Sequence, residues 1–522
     1  MPKTSERVVE TLIDAGVTHA FTLPGLGITW SLPAFNARRS AIDVVLTRSE
    51  WIALIMAQAT GRLTGRPAVL MGQGPWITTI GADAMASLKP ITKYCTYATS
   101  PAEAVYGTQM AIKHATLPRQ GPAAVVMKTP IIRQEVDEPT KPMLYPTEGY
   151  LGYVPARPDR DAVAALATRI DTAERPVIIA GNGVMAANAG SGLQALAETA
   201  GVAIATSYNA KGVIAETSDI AVGMLGTWGA PTANRAVSRA DLVVMIGASM
   251  GPDYTRFRDP ELIRPGEQTL VQVDIDPRNA GWVYPVDTAI TGDAGDVIAL
   301  LAEIGLSAAA REPRVAEIAD LKRRTGYDRL PRPSAKQGTV HHADIVASLQ
   351  AFLGEDDFLM LDAGANRIWS TFGLRMPHPQ QLLVPGGTGI MGWGPPAALA
   401  AKLVDRRKRV TCLAGDGGFM MTLQVVTTCV QEDADVVFLI GNNAGLGMVR
   451  DNLAENRIAV DFEDVDFAKT VEGLGGKGLT VHHPDEIGDA LDEAHGIGGP
   501  VVIDAEVDSD ASHHEAVDDT PL

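Results

Sequence analysis

Short apolar runs, glycine-rich turns and alanine-rich stretches alternate along the chain in three successive segments. That alternation predicts parallel sheets covered on both faces by helices. In the first segment Val8, Val9, Leu12 and Ile13 recur at helical spacing, which predicts a helix over Glu6–Ala15. The apolar pair Ala20-Phe21 runs into the turn Leu23-Pro24-Gly25-Leu26-Gly27. Ile42–Leu46 and Ala123–Met127 read as strands, and Trp51–Leu63 reads as a helix ended by Gly65. Pro139, Pro142, Pro146 and Pro155 mark a linker. The second segment carries the strands Val177–Ala180, Val202–Thr206, Leu242–Ile246 and Leu270–Ile275 and ends near Ile304. Charged, proline-bearing Ala308–Lys336 reads as a second linker. The third segment starts near His341, with strands at Phe358–Leu361, Leu382–Val384, Val410–Leu413, Val436–Ile440 and Val501–Ala505. The expectation is an α/β protein of three doubly wound parallel-sheet domains at 1–140, 158–304 and 341–507, followed by a frayed acidic tail at 508–522.

Composition agrees with this reading. At roughly 100–200 residues per domain, a chain of 522 residues has room for two to four domains. It is 46% hydrophobic and 20% charged, too apolar to stay disordered. A net charge of −18 argues against nucleic acid held by a basic surface, but leaves open a small anion held by a metal or a helix end. Cys95, Cys412 and Cys429 are far apart, which suggests neither disulfides nor a zinc site, and Cys412 and Cys429 read as core residues. No signal-peptide pattern and no run of about 18 apolar residues occurs, so a soluble, cytoplasmic protein without membrane contact is expected.

The strongest chemical signal lies in the third segment. Strand Val410–Leu413 runs into Gly415-Asp416-Gly417-Gly418-Phe419, a helix-like stretch continues to about Val430, and strand Val436–Ile440 ends at Gly441-Asn442-Asn443. This βαβ order puts Asp416 and Asn443 at the carboxyl ends of two parallel strands, where open α/β sheets bind ligands. Mg²⁺ takes oxygen ligands and accepts phosphate oxygens beside one or two protein groups, which a carboxylate and an amide can be. Gly417 and Gly418 let the backbone approach a phosphate, and Gly445-Leu446-Gly447 can do the same or free a carbonyl for the metal.

With these residues in view, the sequence resembles thiamine-diphosphate enzymes, in particular the acetolactate synthase, benzoylformate decarboxylase and 2-hydroxyacyl-CoA lyase group. Gly415-Asp416-Gly417, 24 residues and Asn442-Asn443 look like that group's cofactor signature. The turn Gly386–Ala398 looks like its aminopyrimidine-side turn, and Leu446–Arg450 like the segment after its metal site. Val273–Pro277 and Tyr284–Asp287 are similar to its central domain. The resemblance implies pyrimidine-binding, central and diphosphate-binding domains in that order, with Mg²⁺ held by Asp416, Asn443 and the Gly445 carbonyl. It further implies that Met391 is the wedge that bends thiamine diphosphate, that the Gly389 carbonyl accepts from its 4′-amino group, and that Ala365 and Asn366 lie near its diphosphate. Gly25, Gly417, Gly418, Leu446, Gly447 and Met448 complete the expected cofactor contacts. Glu50 matches the glutamate that hydrogen-bonds N1′ of the aminopyrimidine; read locally, it is a first-turn helix residue favoured by the dipole. The implied chemistry is cleavage or formation of a C–C bond on a keto acid or acyloin, by a transferase, decarboxylase or lyase. The implied assembly is a homodimer or homotetramer with sites shared between subunits.

Other features test that reading. Gly181-Asn182-Gly183-Val184-Met185-Ala186 follows a strand as a dinucleotide fingerprint does, but the next strand ends in Ser207-Tyr208-Asn209, without the acid that NAD binding needs. FAD is not expected, because Gly247–Asp253 lacks the arginine and paired aspartates of FAD-bearing relatives. Only Trp76–Lys89 stands where the family carries a further strand and helix. A loop left out of the chain, a trimmed variant, and an inactive relative with a binding or assembly role are the three readings of that shortening. The turn Gly25–Thr29 lacks the Ser or His that some decarboxylases place there. His114 reads as a surface residue, and Arg450 as an anion contact or a solvated charge.

Overall fold

The computed structural model describes residues 1–25, 27–72, 83–136, 157–330, 338–355, 357–387, 389–453 and 456–516. It divides into two compact units: Met1–Val154 with Leu399–Val404, and Pro155–Ala398 with Asp405–Leu522.

In the first unit His19–Thr22 is the middle strand of a parallel sheet, flanked by Asp43–Leu46 and Val69–Met71. Tyr94–Ala98 and Ala123–Met127 form a second parallel pair. Helix Thr4–Asp14 buries Val9 and Leu12 against Ala20, Ile42 and Ile112. Helix Glu50–Thr64 is capped by Ser49, whose hydroxyl accepts the Ile52 N–H (3.2 Å), and ends on left-handed Gly65. The prolines of the first linker, Gly74-Pro75 and 76–82 of the shortened segment lie outside the described residues; the remainder of that segment carries the short helix Ala84–Leu88. His114 is half-buried rather than at the surface, because its ring stacks on Tyr94.

The second unit holds two six-stranded parallel sheets. The first runs Thr288–Thr291, Thr269–Asp274, Leu242–Ile246, Pro176–Ala180, Ala203–Thr206 and Ala221–Met224. The second runs Leu382–Leu383, Asp357–Leu361, Arg409–Gly415, Val437–Asn442, Val501–Glu506 and Lys477–Val481. Central strands such as Leu242–Ile246 and Val437–Asn442 are buried along their whole length, as parallel strands covered on both faces must be. The fingerprint turn packs against a second turn. A Cβ on Gly181 would stand 2.1 Å from the Gly247 carbonyl oxygen, and one on Gly183 2.7 Å from the Gly247 Cα, so glycines let two turns touch.

Two expectations are corrected here. Much of the second linker is the helix Arg311–Thr325, which buries Ile318 and Leu321 in the core. Its Arg314 is buried and donates to the carbonyls of Ala200 (3.0 Å), Ile170 (2.8 Å) and Ala173 (2.6 Å), closing the C-termini of two helices. A buried arginine serving carbonyls looks like linker charge in a sequence. The acidic tail is likewise ordered as far as Ala516: Ala511, His513 and Ala516 are buried, and His513 bonds Asp451 through its main-chain N–H (2.9 Å) and Nδ1 (2.7 Å).

Candidate functional site

Strands Arg409–Gly415 and Val437–Asn442 pair in parallel with Gly415 opposite Gly441. Asp416 and Asn443 therefore leave the same sheet edge side by side. The helix expected to run to Val430 is two, Asp416–Thr422 and Val425–Gln431, and Asp416 opens the first. Its carboxylate accepts from the Gly417 N–H (2.7 Å) and the Gly445 N–H (2.8 Å), and burial pushes its pKa above the ordinary value. Arg450 is buried, neither solvated nor free for an anion. It donates to the Asn443 main-chain carbonyl (3.3 and 3.2 Å) and to Asp461 (3.1 Å), which fixes the loop between them.

The Asn443 side chain sits between the Gly445 carbonyl and Arg450. One terminal atom of its amide lies 2.9 Å from the Gly445 carbonyl oxygen, the other 3.1 Å from Arg450 Nη2. With nitrogen toward Gly445 the amide bonds both neighbours. With oxygen there, the amide nitrogen faces the Arg450 donor, and the two oxygens stand at the separation of adjacent ligands in an octahedron with bonds of about 2.0–2.1 Å, so this orientation needs a cation between them. Among the described residues no cluster of three or more His, Cys, Asp and Glu forms a metal site. One carboxylate, one amide and one carbonyl suit a hard cation that takes its other ligands from phosphate and water.

A cavity of about 380 Å³ opens beside these donors, lined wholly by the second unit. Ala365, Asn366, Gly389, Met391, Gly417, Gly418, Leu446, Gly447 and Met448 line it together with Asp416, Asn443 and Gly445. Its glycines are places where a Cβ would intrude: on Gly417 it would stand 3.2 Å from the Met391 methyl, on Gly447 2.5 Å from Asn443 Nδ2. Ala365 brings no polar side-chain atom. Asn366 is turned to the protein, donating to the Ala414 carbonyl (3.2 Å) and accepting from His342 Nδ1 (2.7 Å). Glu50 and Gly25 belong to the first unit, at the carboxyl edge of its sheet. A Cβ on Gly72 would lie 3.5 Å from Glu50 Cγ, and the Gly25 carbonyl accepts from the N–H groups of Ile28 and Thr29 (3.1 Å each).

Sequence reading missed several residues of the site. Asp362, fully buried, gathers the N–H groups of Gly392 (2.9 Å), Trp393 (3.0 Å) and Gly394 (3.3 Å), so it holds the turn that presents Met391. A Cβ on Gly418 would meet it at 2.2 Å, so that glycine makes room for the clamp. His342 is 1% exposed, and burial drives its pKa down to about 4; its Nε2 has no hydrogen-bond partner among the described residues. Arg367 follows Asn366 on the helix Ala365–Gly373. The far wall, Tyr208, Met224, Leu225 and Trp228, comes from the other sheet's side, which no local motif announces.

Parallel sheets with an acid, an amide and glycine turns gathered at one carboxyl edge define a class: α/β enzymes that hold a phosphorylated cofactor there. Residues 2–87, 163–301 and 362–505 match the N-terminal TPP binding, central, and C-terminal TPP binding domains of thiamine pyrophosphate enzymes. The chain belongs to the thiamine pyrophosphate enzyme family. It is 29% identical to a probable acetolactate synthase large subunit of Methanocaldococcus jannaschii, over 97% of this chain and 92% of that one. It is 26% identical to an acetolactate synthase of Bacillus subtilis (99% and 95% covered) and 26% identical to a pyruvate oxidase of Lactiplantibacillus plantarum (96% and 88%). No described helix is long and apolar enough to cross a membrane.

Proposed function

We propose that the protein is a Mg²⁺- and thiamine-diphosphate-dependent enzyme that makes or breaks a C–C bond beside the carbonyl of a keto acid or acyloin, as an acetolactate-synthase-like carboligase or as a related decarboxylase or lyase. The observation that carries this reading is the convergence of Asp416, the Asn443 amide and the Gly445 carbonyl beside the cavity. Asp416, Asn443 and Gly445 hold the metal, and Arg450 keeps their loop in place. The main chain of Gly417, Gly418 and Gly447 lines the space for the diphosphate, and Ala365, Leu446 and Met448 line the same wall. Met391, set by the Asp362 clamp, supplies the wedge, and the Gly389 carbonyl accepts the amino group. When bound, the cofactor supplies a nucleophilic carbon and a store for the electrons released beside a carbonyl. The Glu50 carboxylate holds a proton at N1′ of the aminopyrimidine, with Gly25 on the same sheet edge.

The same reading assigns 1–140, 158–304 and 341–507 to the pyrimidine-binding, central and diphosphate-binding domains. It makes the protein a cytoplasmic homodimer or homotetramer whose sites join the first domain of one subunit to the third of another. Alignments of 558 and 556 positions, longer than the 522 residues here, support a shortened chain.

The test is exchange of the cofactor's C2 proton for deuterium, followed by NMR with Mg²⁺ present. Fast exchange that is lost in Glu50→Gln, with cofactor binding retained, is the expected result. Exchange no faster than that of free cofactor, despite Mg²⁺-dependent binding, refutes the catalytic reading and favours an inactive relative.

A further inference from the structure

Arg367 lines the cavity yet is only 9% exposed. Its guanidinium lies against the Tyr208 ring (4.9 Å to the centroid) and nearer the edge of range to Trp228 (6.0 Å). Among the described residues it has no hydrogen bond or ion pair. The other ionisable groups on the wall do not neutralise it: Asp416 is committed to the metal loop, His342 is neutral, and Asp253 is solvent-exposed. Stacking on aromatic faces orients a guanidinium and leaves its N–H fork free. A buried cation with an open fork facing a cavity is a receptor for an oxyanion.

Two sources of oxyanion exist at such a site, the cofactor and the substrate. A Cβ on Gly389 would stand 2.7 Å from Arg367 Nη1, so the fork lies beside the turn given to the aminopyrimidine. On the proposed function, Asp416, Asn443 and Gly445 would hold a Mg²⁺ that serves the diphosphate. The carboxylate lost in decarboxylation leaves as neutral CO₂, and a cation that stabilised it in the ground state would raise the barrier. A group that stays on the substrate through turnover carries no such cost.

We propose that Arg367 binds a second, non-reacting anionic group of the substrate, of carboxylate, phosphonate or sulfonate class. The substrate is then a keto acid with an anion at its far end. This rests on the proposed function for its chemistry, but the binding step is tested without turnover. The probes are unreactive: succinate and glutarate, against butanoate and pentanoate, which carry a methyl group in place of the second carboxylate. Each is titrated calorimetrically into the protein with and without thiamine diphosphate and Mg²⁺.

The expected result is that a dicarboxylate binds about tenfold or more tighter than its monocarboxylate partner. That preference vanishes in Arg367→Met and survives in part in Arg367→Lys, while cofactor affinity stays within about twofold. Retained cofactor binding also shows that the variants are folded. Equal binding of both classes, no binding of either, or a preference that survives Arg367→Met overturns the proposal. A large loss of cofactor affinity in Arg367→Met assigns the fork to the diphosphate and overturns it too. If the wild-type protein binds no cofactor, the proposed function falls, while the titration without cofactor still decides the role of Arg367.

Discussion

His342 ties the stability of the second unit to pH, and the size of the effect follows from its surroundings. Its ordinary pKa is 6.5, and in the folded protein burial lowers it to about 4; the neighbouring His341 and His513 add to the lowering, and the hydrogen bond to Asn366 opposes it. Above both values the ring is neutral folded and unfolded, and contributes nothing to the pH dependence. As pH falls through 6.5 the unfolded chain takes up a proton that the folded protein refuses, so stability drops until the folded ring also protonates near 4. A difference of two to three pKa units is worth about 3 kcal/mol. Other groups titrate in the same range, so the informative quantity is the difference between the wild type and His342→Gln, whose amide can still donate to Asn366 and does not titrate. Denaturant unfolding followed by Trp369 and Trp393, both fully buried, reports on this unit. The stability of the wild type relative to the variant should be level above about pH 7 and fall by about 3 kcal/mol on reaching about pH 4. A difference that stays flat across that range refutes the reasoning, because it means that the ring gains its proton in the fold at no cost.

Two more predictions concern buried charge. Lys211 and Glu216 are 0% and 1% exposed; the ammonium donates to Glu216 (2.7 Å) and the Leu374 carbonyl (2.7 Å), and Glu216 also accepts the Met376 N–H (3.1 Å). Lys211→Met leaves that carboxylate without its cation, and equilibrium unfolding should show a loss of about 3–5 kcal/mol; a loss below about 1 kcal/mol would mean that water enters. Asp362→Ala strips the acceptor from three N–H groups, so calorimetry should show thiamine diphosphate binding weakened about tenfold or more, with Asp362→Asn intermediate. Unchanged affinity in Asp362→Ala would show that Met391 holds its place without the clamp.

The buried strands were readable because a parallel strand covered on both faces has to be apolar throughout, and Leu242–Ile246 appears as expected. That Asp416 and Asn443 leave one sheet edge was readable because their turns end two strands of one local unit. What escaped was long-range. Asp362 precedes its N–H partners by about thirty positions, and Tyr208 and Trp228 reach the cavity from a different sheet. Arg450 looked like an anion contact or a solvated charge, and Arg314 stood in a stretch that looked like a linker; only the fold shows that each is buried against main-chain carbonyls.

Strand Val501–Glu506, the latest of its sheet in the chain, lies between Val437–Asn442 and Lys477–Val481 rather than at an edge. Its biosynthesis is therefore a problem of timing. Domains tend to fold in order as a chain emerges from the ribosome, yet here two adjoining strands wait with unpaired edges until the final strand slots in. A chain stalled before Val501 offers those edges to other chains.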